Sequence, residues 1–176
     1  MSILGVVVCG APLAGRTKDL IEHARKAGWD VSLAATEAAS AWLSADLLES
    51  SEAARKPGEP KRRRPDALLV CPLTFNSGSK WALGIADNRP MSLMCESLGA
   101  GIPIVAVPMV NDSLWQHPSW AGHLKVLSES GVVFVDPATG RRVTAPLASG
   151  TGDRIAAEFT ISSVIDLLSA LRSNTS

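Results

Sequence analysis

Five short apolar runs punctuate the chain, and between them apolar residues recur every three or four positions. The first run, "ILGVVVC" (residues 3–9), is continuous and β-branched, the mark of a strand buried on both faces. Residues 17–27 place Leu20, Ile21 and Ala24 on one helical face, and Gly28 supplies the stop. "DVSLAAT" (30–36) predicts a second strand and "EAASAWLSADLLES" (37–50) a second helix. "SEAARKPGEPKRRRP" (51–65), with its prolines and cations, predicts a surface loop. "DALLVCP" (66–72) is a third strand, followed by two helices in succession, "SGSKWALGIADN" (77–88) and "PMSLMCESLGAG" (90–101). "IPIVAVP" (102–108) is a fourth strand, "PSWAGHLKVLSESG" (118–131) a helix and "VVFVDP" (132–137) a fifth strand. A loop over 138–152 leads to "DRIAAEFTISSVIDLLSALR" (153–172), read as one long amphipathic helix. This alternation predicts an α/β fold, a Rossmann-like three-layer sandwich with a parallel sheet of five or six strands, in a single domain over 1–176.

Composition narrows the partners. The 17 basic and 17 acidic residues cancel, so no net field draws in nucleic acid. No apolar run approaches the ~20 residues that span a bilayer, and the N-terminal residues lack the basic start of a secretion signal. Three cysteines, Cys9, Cys71 and Cys95, show no CxxC spacing. They read as reduced thiols of a cytoplasmic protein, with no metal signature.

In parallel sheets ligands gather beyond the carboxyl ends of the strands, so the loops that follow the strands carry the candidate chemistry. The first, "CGAPLAGRT", matches from Gly10 the phosphate-binding pattern G-x-x-x-x-G-K-[ST] except for Arg16 in place of lysine. A strand leading into a helix N-terminus favours an anion, but a tight turn of small residues explains the same glycines. The triphosphate reading also needs a lysine and an acidic residue at a strand end to hold magnesium. Asp136 is the one candidate for the latter, and Pro12 removes a donor such a loop would use. After the third strand, Thr74, Asn76 and Ser77 cluster at a helix start, as caps or as ligand contacts. After the fourth, Asn111, Trp115 and His117 suit either a pocket wall or a capped loop with a buried tryptophan. Lys80 and Trp81 read as surface and packing residues.

Together these stretches resemble the flavin-dependent cysteine decarboxylase superfamily, which includes phosphopantothenoylcysteine decarboxylase and the lantibiotic peptide decarboxylases. The motifs are Cys71-Pro72-Leu73-Thr74-Phe75-Asn76, then Gly84-Ile85-Ala86-Asp87-Asn88, then Pro108-Met109-Val110-Asn111-Asp112-Ser113-Leu114-Trp115-Gln116-His117-Pro118. They run in order over about three-quarters of the chain. The resemblance implies FMN held between subunits of a trimer or a multiple of trimers. Carried over, Gly10, Ala11 and Pro12 line the flavin and its phosphate with Thr36 beside them. Pro72, Thr74, Asn76, Asp87, Asn88 and Met109 contact the flavin, and Asn111 meets the substrate carboxylate. The implied activity is oxidative decarboxylation of a small molecule or peptide ending in cysteine, with hydride transfer to the flavin.

Two departures stand out. The family places a catalytic histidine about eight residues before the aspartate that opens the third strand. Counting back from Asp66 reaches Gly58, and no histidine lies between His23 and His117. The substrate-covering segment, 140–152, holds no cysteine, although the family often has one there. His23 and His123 read as surface or packing residues, and the run Lys61-Arg62-Arg63-Arg64 as a solvated loop or an anchor for an anionic substrate. Two other readings therefore stand beside the decarboxylase: a flavin-binding regulatory or scaffold protein that kept the pocket without the chemistry, and a relative of the prenyl-flavin synthases.

Overall fold

The computed structural model describes residues 1–52, 58 and 63–173. Five parallel strands form one sheet: β1 (Ser2–Val8), β2 (Trp29–Ala35), β3 (Ala67–Leu73), β4 (Ile104–Pro108) and β5 (Val132–Phe134), in the order β2-β1-β3-β4-β5. The continuous apolar runs explain why, since each central strand is covered on both sides. Leu4, Val6 and Val8 join Leu69, Cys71, Val105 and Val107 on one face. Val7, Cys9, Leu68, Val70 and Ala106 point to the other. Asp66 pins the register where β3 begins, its carboxylate accepting the Ile3 N–H at 2.7 Å.

The helices form the two outer layers. On the first face lie α1 (Thr17–Lys26), α7 (Gly152–Glu158) and α8 (Ile161–Ser173); on the second lie α3 (Phe75–Ala82), α4 (Arg89–Gly99) and α6 (Trp120–Glu129). Short pieces complete the chain: α2 (Ala45–Ser50), α5 (Asp112–Trp115), and 3-10 turns at Pro12–Arg16 and Glu37–Ala41. The expected three-layer sandwich is therefore present, with five strands.

Three expected helices differ in detail. The stretch 37–50 is split into the 3-10 turn and α2, because the Ala38 backbone is drawn tightly over Gly10. A Cβ on Gly10 would lie 2.5 Å from the Ala38 carbonyl oxygen. The helix expected over 77–88 starts earlier, at Phe75, and ends at Ala82, where Gly84 takes a positive φ of 70° and turns the chain. The last helix is broken at Phe159–Thr160. Buried Ile155, Ala156 and Phe159 set one phase, and continuing it would bury Ser162, Ser163 and Asp166. The chain instead buries Ile161, Val164, Ile165 and Leu168, and only a break resets the stripe.

Candidate functional site

The strand order reverses direction between β1 and β3, so a crevice opens beyond their carboxyl ends. A cavity of about 870 Å³ occupies it. Its first wall is Gly10, Ala11 and Pro12 with Thr36, Glu37 and Ala38; its second is Thr74, Phe75, Asn76 and Ser77 with Lys80, Asn88 and Met91. Met109, Val110 and Asn111 enter after β4, and residues 147–150 with Gly152 and Asp153 close over them. Nine of the residues proposed from sequence thus meet in one place: Gly10, Ala11, Pro12, Thr36, Thr74, Asn76, Asn88, Met109 and Asn111.

Pro72 and Asp87 stand behind the walls. The Pro72 carbonyl accepts the Cys9 N–H at 3.2 Å, joining the ends of β1 and β3. The Asp87 carboxylate holds the Lys80 ammonium at 2.5 Å. Lys80 itself borders the cavity and is not the plain surface residue the sequence suggested.

The helix starts around the cavity are capped by side chains. Thr74 Oγ1 accepts the Ser77 N–H, Asn88 Oδ1 accepts Met91 N–H at 3.0 Å, and Asn111 Oδ1 accepts Leu114 N–H at 3.0 Å. Using their oxygens in this way leaves the amide NH2 groups of both asparagines as donors. The Asn88 group turns to Asp87 at 3.1 Å. The covering segment is tied to the Asn111 loop by the backbone: Leu147 N–H donates to Val110 and Asp112 N–H to Leu147, at 2.9 and 3.2 Å. Thr36 Oγ1 is buried with no hydrogen-bond partner. Such an orphan in a cavity wall is costly unless a ligand supplies the partner.

The loop that resembles a triphosphate cradle is otherwise occupied. Ala11 N–H donates to Cys9, Ala14 N–H to Ala11, and Leu13 N–H points at the Met109 sulfur at 3.4 Å. Arg16 turns away from the cavity. Its guanidinium meets Asp19 at 2.7 Å and donates to the carbonyls of Ala156 and Ala157, at 2.9 and 3.2 Å. It therefore caps the C-terminus of α7, where a cation is favoured. Asp136, the magnesium candidate, spends its carboxylate on the Ala138 N–H at 2.7 Å and does not border the cavity.

Cys9 and Cys71 lie under the floor. Burial pushes both thiols well above the ordinary value; hydrogen bonds to Ser77 and Thr74 partly counter this for Cys9, and Cys9 raises Cys71 further. They are inert by that criterion. None of the three histidines borders the cavity. His117 bonds Ser119 at 2.8 Å and packs edge-on against Phe75, with ring centroids 5.4 Å apart, while His123 meets Ser79 at 3.1 Å. The position eight residues before Asp66 sits in a stretch of which only Gly58 is described, and Lys61 and Arg62 lie outside the described residues. Among the described residues no three His, Cys, Asp or Glu side chains are placed to hold a metal ion, and no helix is long and apolar enough to cross a membrane.

Sequence reasoning missed Glu37, Trp42, Met91, Leu114 and Asp153 on the cavity border. Glu37, Met91 and Leu114 lie one helical turn or less from a residue it did find, and Asp153 directly follows the covering segment 140–152, whereas Trp42, six residues beyond Thr36, carried no such signal.

Comparison with known proteins places this geometry. The model of the family described as Flavoprotein matches residues 2–171. A coenzyme A biosynthesis bifunctional protein CoaBC of Thermococcus kodakarensis is 34% identical over 74 residues, covering 42% of this chain and 18% of that protein. Among solved structures, a PPC decarboxylase with a cysteine-to-serine mutation, complexed with pantothenoylaminoethenethiol, superposes with a TM-score of 0.71 at 20% identity, over 96% of this chain and 97% of that one. The FMN-dependent cysteine decarboxylase SpaF gives 0.68 at 20% identity, over 96% and 98%. Matches to CoaBC proteins span from 18% to 38% of those proteins' length.

Proposed function

The chain belongs to the Flavoprotein family, and on that premise we propose that it binds FMN in the cavity beyond β1 and β3 and oxidatively decarboxylates a cysteine-containing substrate. The observation that carries this reading is the convergence of three separate motif segments on one cavity with an unpartnered Thr36 hydroxyl in its wall. The cavity's volume suits a cofactor, and hydroxyls from Thr36, Thr74 and Ser77 with amides from Asn76 and Asn111 suit a phosphoryl group and the polar edge of a heterocycle. Bound there, a flavin supplies the hydride acceptor that the oxidation of a thiol substrate requires.

This chain's own residues then have distinct tasks. The Asn111 amide NH2, freed by the capping role of its oxygen, donates to the substrate carboxylate. Residues 147–150, tied to that loop, cover the substrate and keep water out with Leu114 and Trp42. Exposed Trp42 and Leu114 at the mouth, and exposed Leu83 and Ile85 after α3, support assembly of copies into trimers or their multiples. Among the described residues, the ionisable side chains on the cavity border are Glu37, Lys80 and Asp153.

The test is spectroscopic. Purified protein is expected to carry, or take up, FMN with a flavin absorbance spectrum, and failure to do so overturns the reading. Anaerobic mixing with cysteine-ended peptides or phosphopantothenoylcysteine is then expected to bleach the flavin and release carbon dioxide. A second reading, a flavin-binding scaffold without decarboxylation, is favoured by the absence of a histidine from the cavity border among the described residues. An unchanged spectrum across that panel selects it.

A further inference from the structure

One ion pair outside the cavity joins its two walls. Arg89 Nε and Nη2 both donate to Glu52 Oε2, at 2.8 and 2.7 Å, while the Ser32 hydroxyl donates to Glu52 Oε1. Only 17% of the Glu52 side chain and 18% of Arg89 is exposed. The carboxylate is thus held at both oxygens, unlike a mobile surface pair.

Each partner is anchored to a different wall. Glu52 N–H donates to Leu33 at 2.7 Å, and Ala35 N–H donates to Ser51 Oγ at 2.9 Å. Residues 51 and 52 therefore run along β2, which leads into Thr36 in the first wall. Arg89 opens α4 directly after Asn88, which caps that helix through Met91 in the second wall. A cation at a helix N-terminus opposes the helix dipole. Here Glu52, and Glu96 at 3.5 Å, offset that cost, which a residue serving only α4 would not incur.

We infer that the Glu52–Arg89 pair is a positioning strut: it fixes the separation of the Thr36 and Asn88 walls and so sets flavin affinity without touching the flavin. This rests on the flavin reading above. Neither residue borders the cavity, so a change in the bound flavin on altering them reports geometry transmitted through the walls. Removing either partner deletes the two-pronged contact between two mostly buried charges.

The test uses the full chain with Glu52→Gln, Arg89→Lys, Arg89→Gln and the combination Glu52→Gln/Arg89→Gln. Glu52→Gln and Arg89→Gln are each expected to weaken FMN binding about tenfold, and the combination no more than either alone, since the two side chains act as one unit. Arg89→Lys, which keeps the charge but not the two-pronged contact, falls between. The visible circular dichroism of bound flavin shifts in the weakened variants. Unchanged FMN affinity and spectrum in variants that lose only thermal stability would overturn the strut. Hydrogen exchange of the amides of Thr36 and Met91 decides it independently of flavin. Both are expected to exchange faster in Glu52→Gln, and if only one wall loosens, the strut is wrong. Should the unaltered chain bind no FMN, the functional reading falls while hydrogen exchange still judges the strut.

Discussion

Two strand-to-helix junctions flank the cavity, and they spend their polar groups to opposite ends. The first, from Cys9 to Thr17, carries two glycines and the outline of a phosphate cradle, yet its polar groups are spent inside the protein. Backbone donors turn inward, the Thr17 hydroxyl bonds the Ala14 carbonyl at 2.7 Å, and Arg16 grips α7. The second, from Leu73 to Ser77, has no such outline. Its Thr74, Asn76 and Ser77 nevertheless bring most of the side-chain polarity of the second wall to the cavity. A glycine pattern therefore reports how closely backbones approach, and only the placement of free polar atoms reports a ligand.

The largest expected effect breaks the first junction. Gly10→Val puts a side chain against the Ala38 backbone, and a backbone collision that rotamers cannot relieve is expected to cost about 3 kcal/mol or more. Urea unfolding checks this, and a variant of normal stability would mean that Ala38 does not sit where the structure places it.

Exchanging one polar residue from each junction sharpens the contrast. Thr74→Ala is expected to cost about 1 kcal/mol as a lost helix cap and to weaken FMN about tenfold, equivalent to about 1.4 kcal/mol. Arg16→Ala is expected to cost about 1 kcal/mol through its lost carbonyl contacts while leaving FMN affinity within about twofold. Fluorescence titration of FMN against both variants separates the roles, and equal losses of affinity would erase the distinction.

The smallest effect concerns the thiols beneath the junctions. Burial raises Cys9 in the folded state above its ordinary value of 9.0, so folding retains a proton that the unfolded chain releases. That contribution is complete below the ordinary value and declines as the pH rises past it. At pH 9.0 the loss is at most about 0.4 kcal/mol for one such thiol. Unfolding free energies at pH 7 and pH 9 are expected to differ by that much less in Cys9→Ala, and an unaltered slope would show the thiol to be accessible.

The strands were legible because a sheet covered on both sides demands continuous apolar runs, and these are local. Eight of the nine residues that meet at the cavity were legible because they follow a strand end, and Asn88, which opens α4, was legible only through the motif Gly84–Asn88. Other features depended on partners far along the chain. Arg16 finds its carbonyls 140 residues away, and Glu52 meets Arg89 across 37, distances no local pattern spans. The break at Phe159–Thr160 lies between. Its apolar stripe changes phase within the segment, a signal visible in the sequence once the two halves are fitted to separate helices.

The placement of Ser51 and Glu52 has a second consequence, for how the protein behaves in a crowd. β2 is an edge strand, and an open edge offers a row of backbone groups on which another chain can lengthen the sheet. Ser51 and Glu52 occupy that row, taking up the Leu33 carbonyl and the Ala35 N–H, and Glu52 leaves an ion pair beside it. At the far side β5 has only three residues, too short to template a stable addition. The sheet is thus guarded at one edge by a charged selvedge and at the other by brevity, and growth by strand addition is discouraged at both.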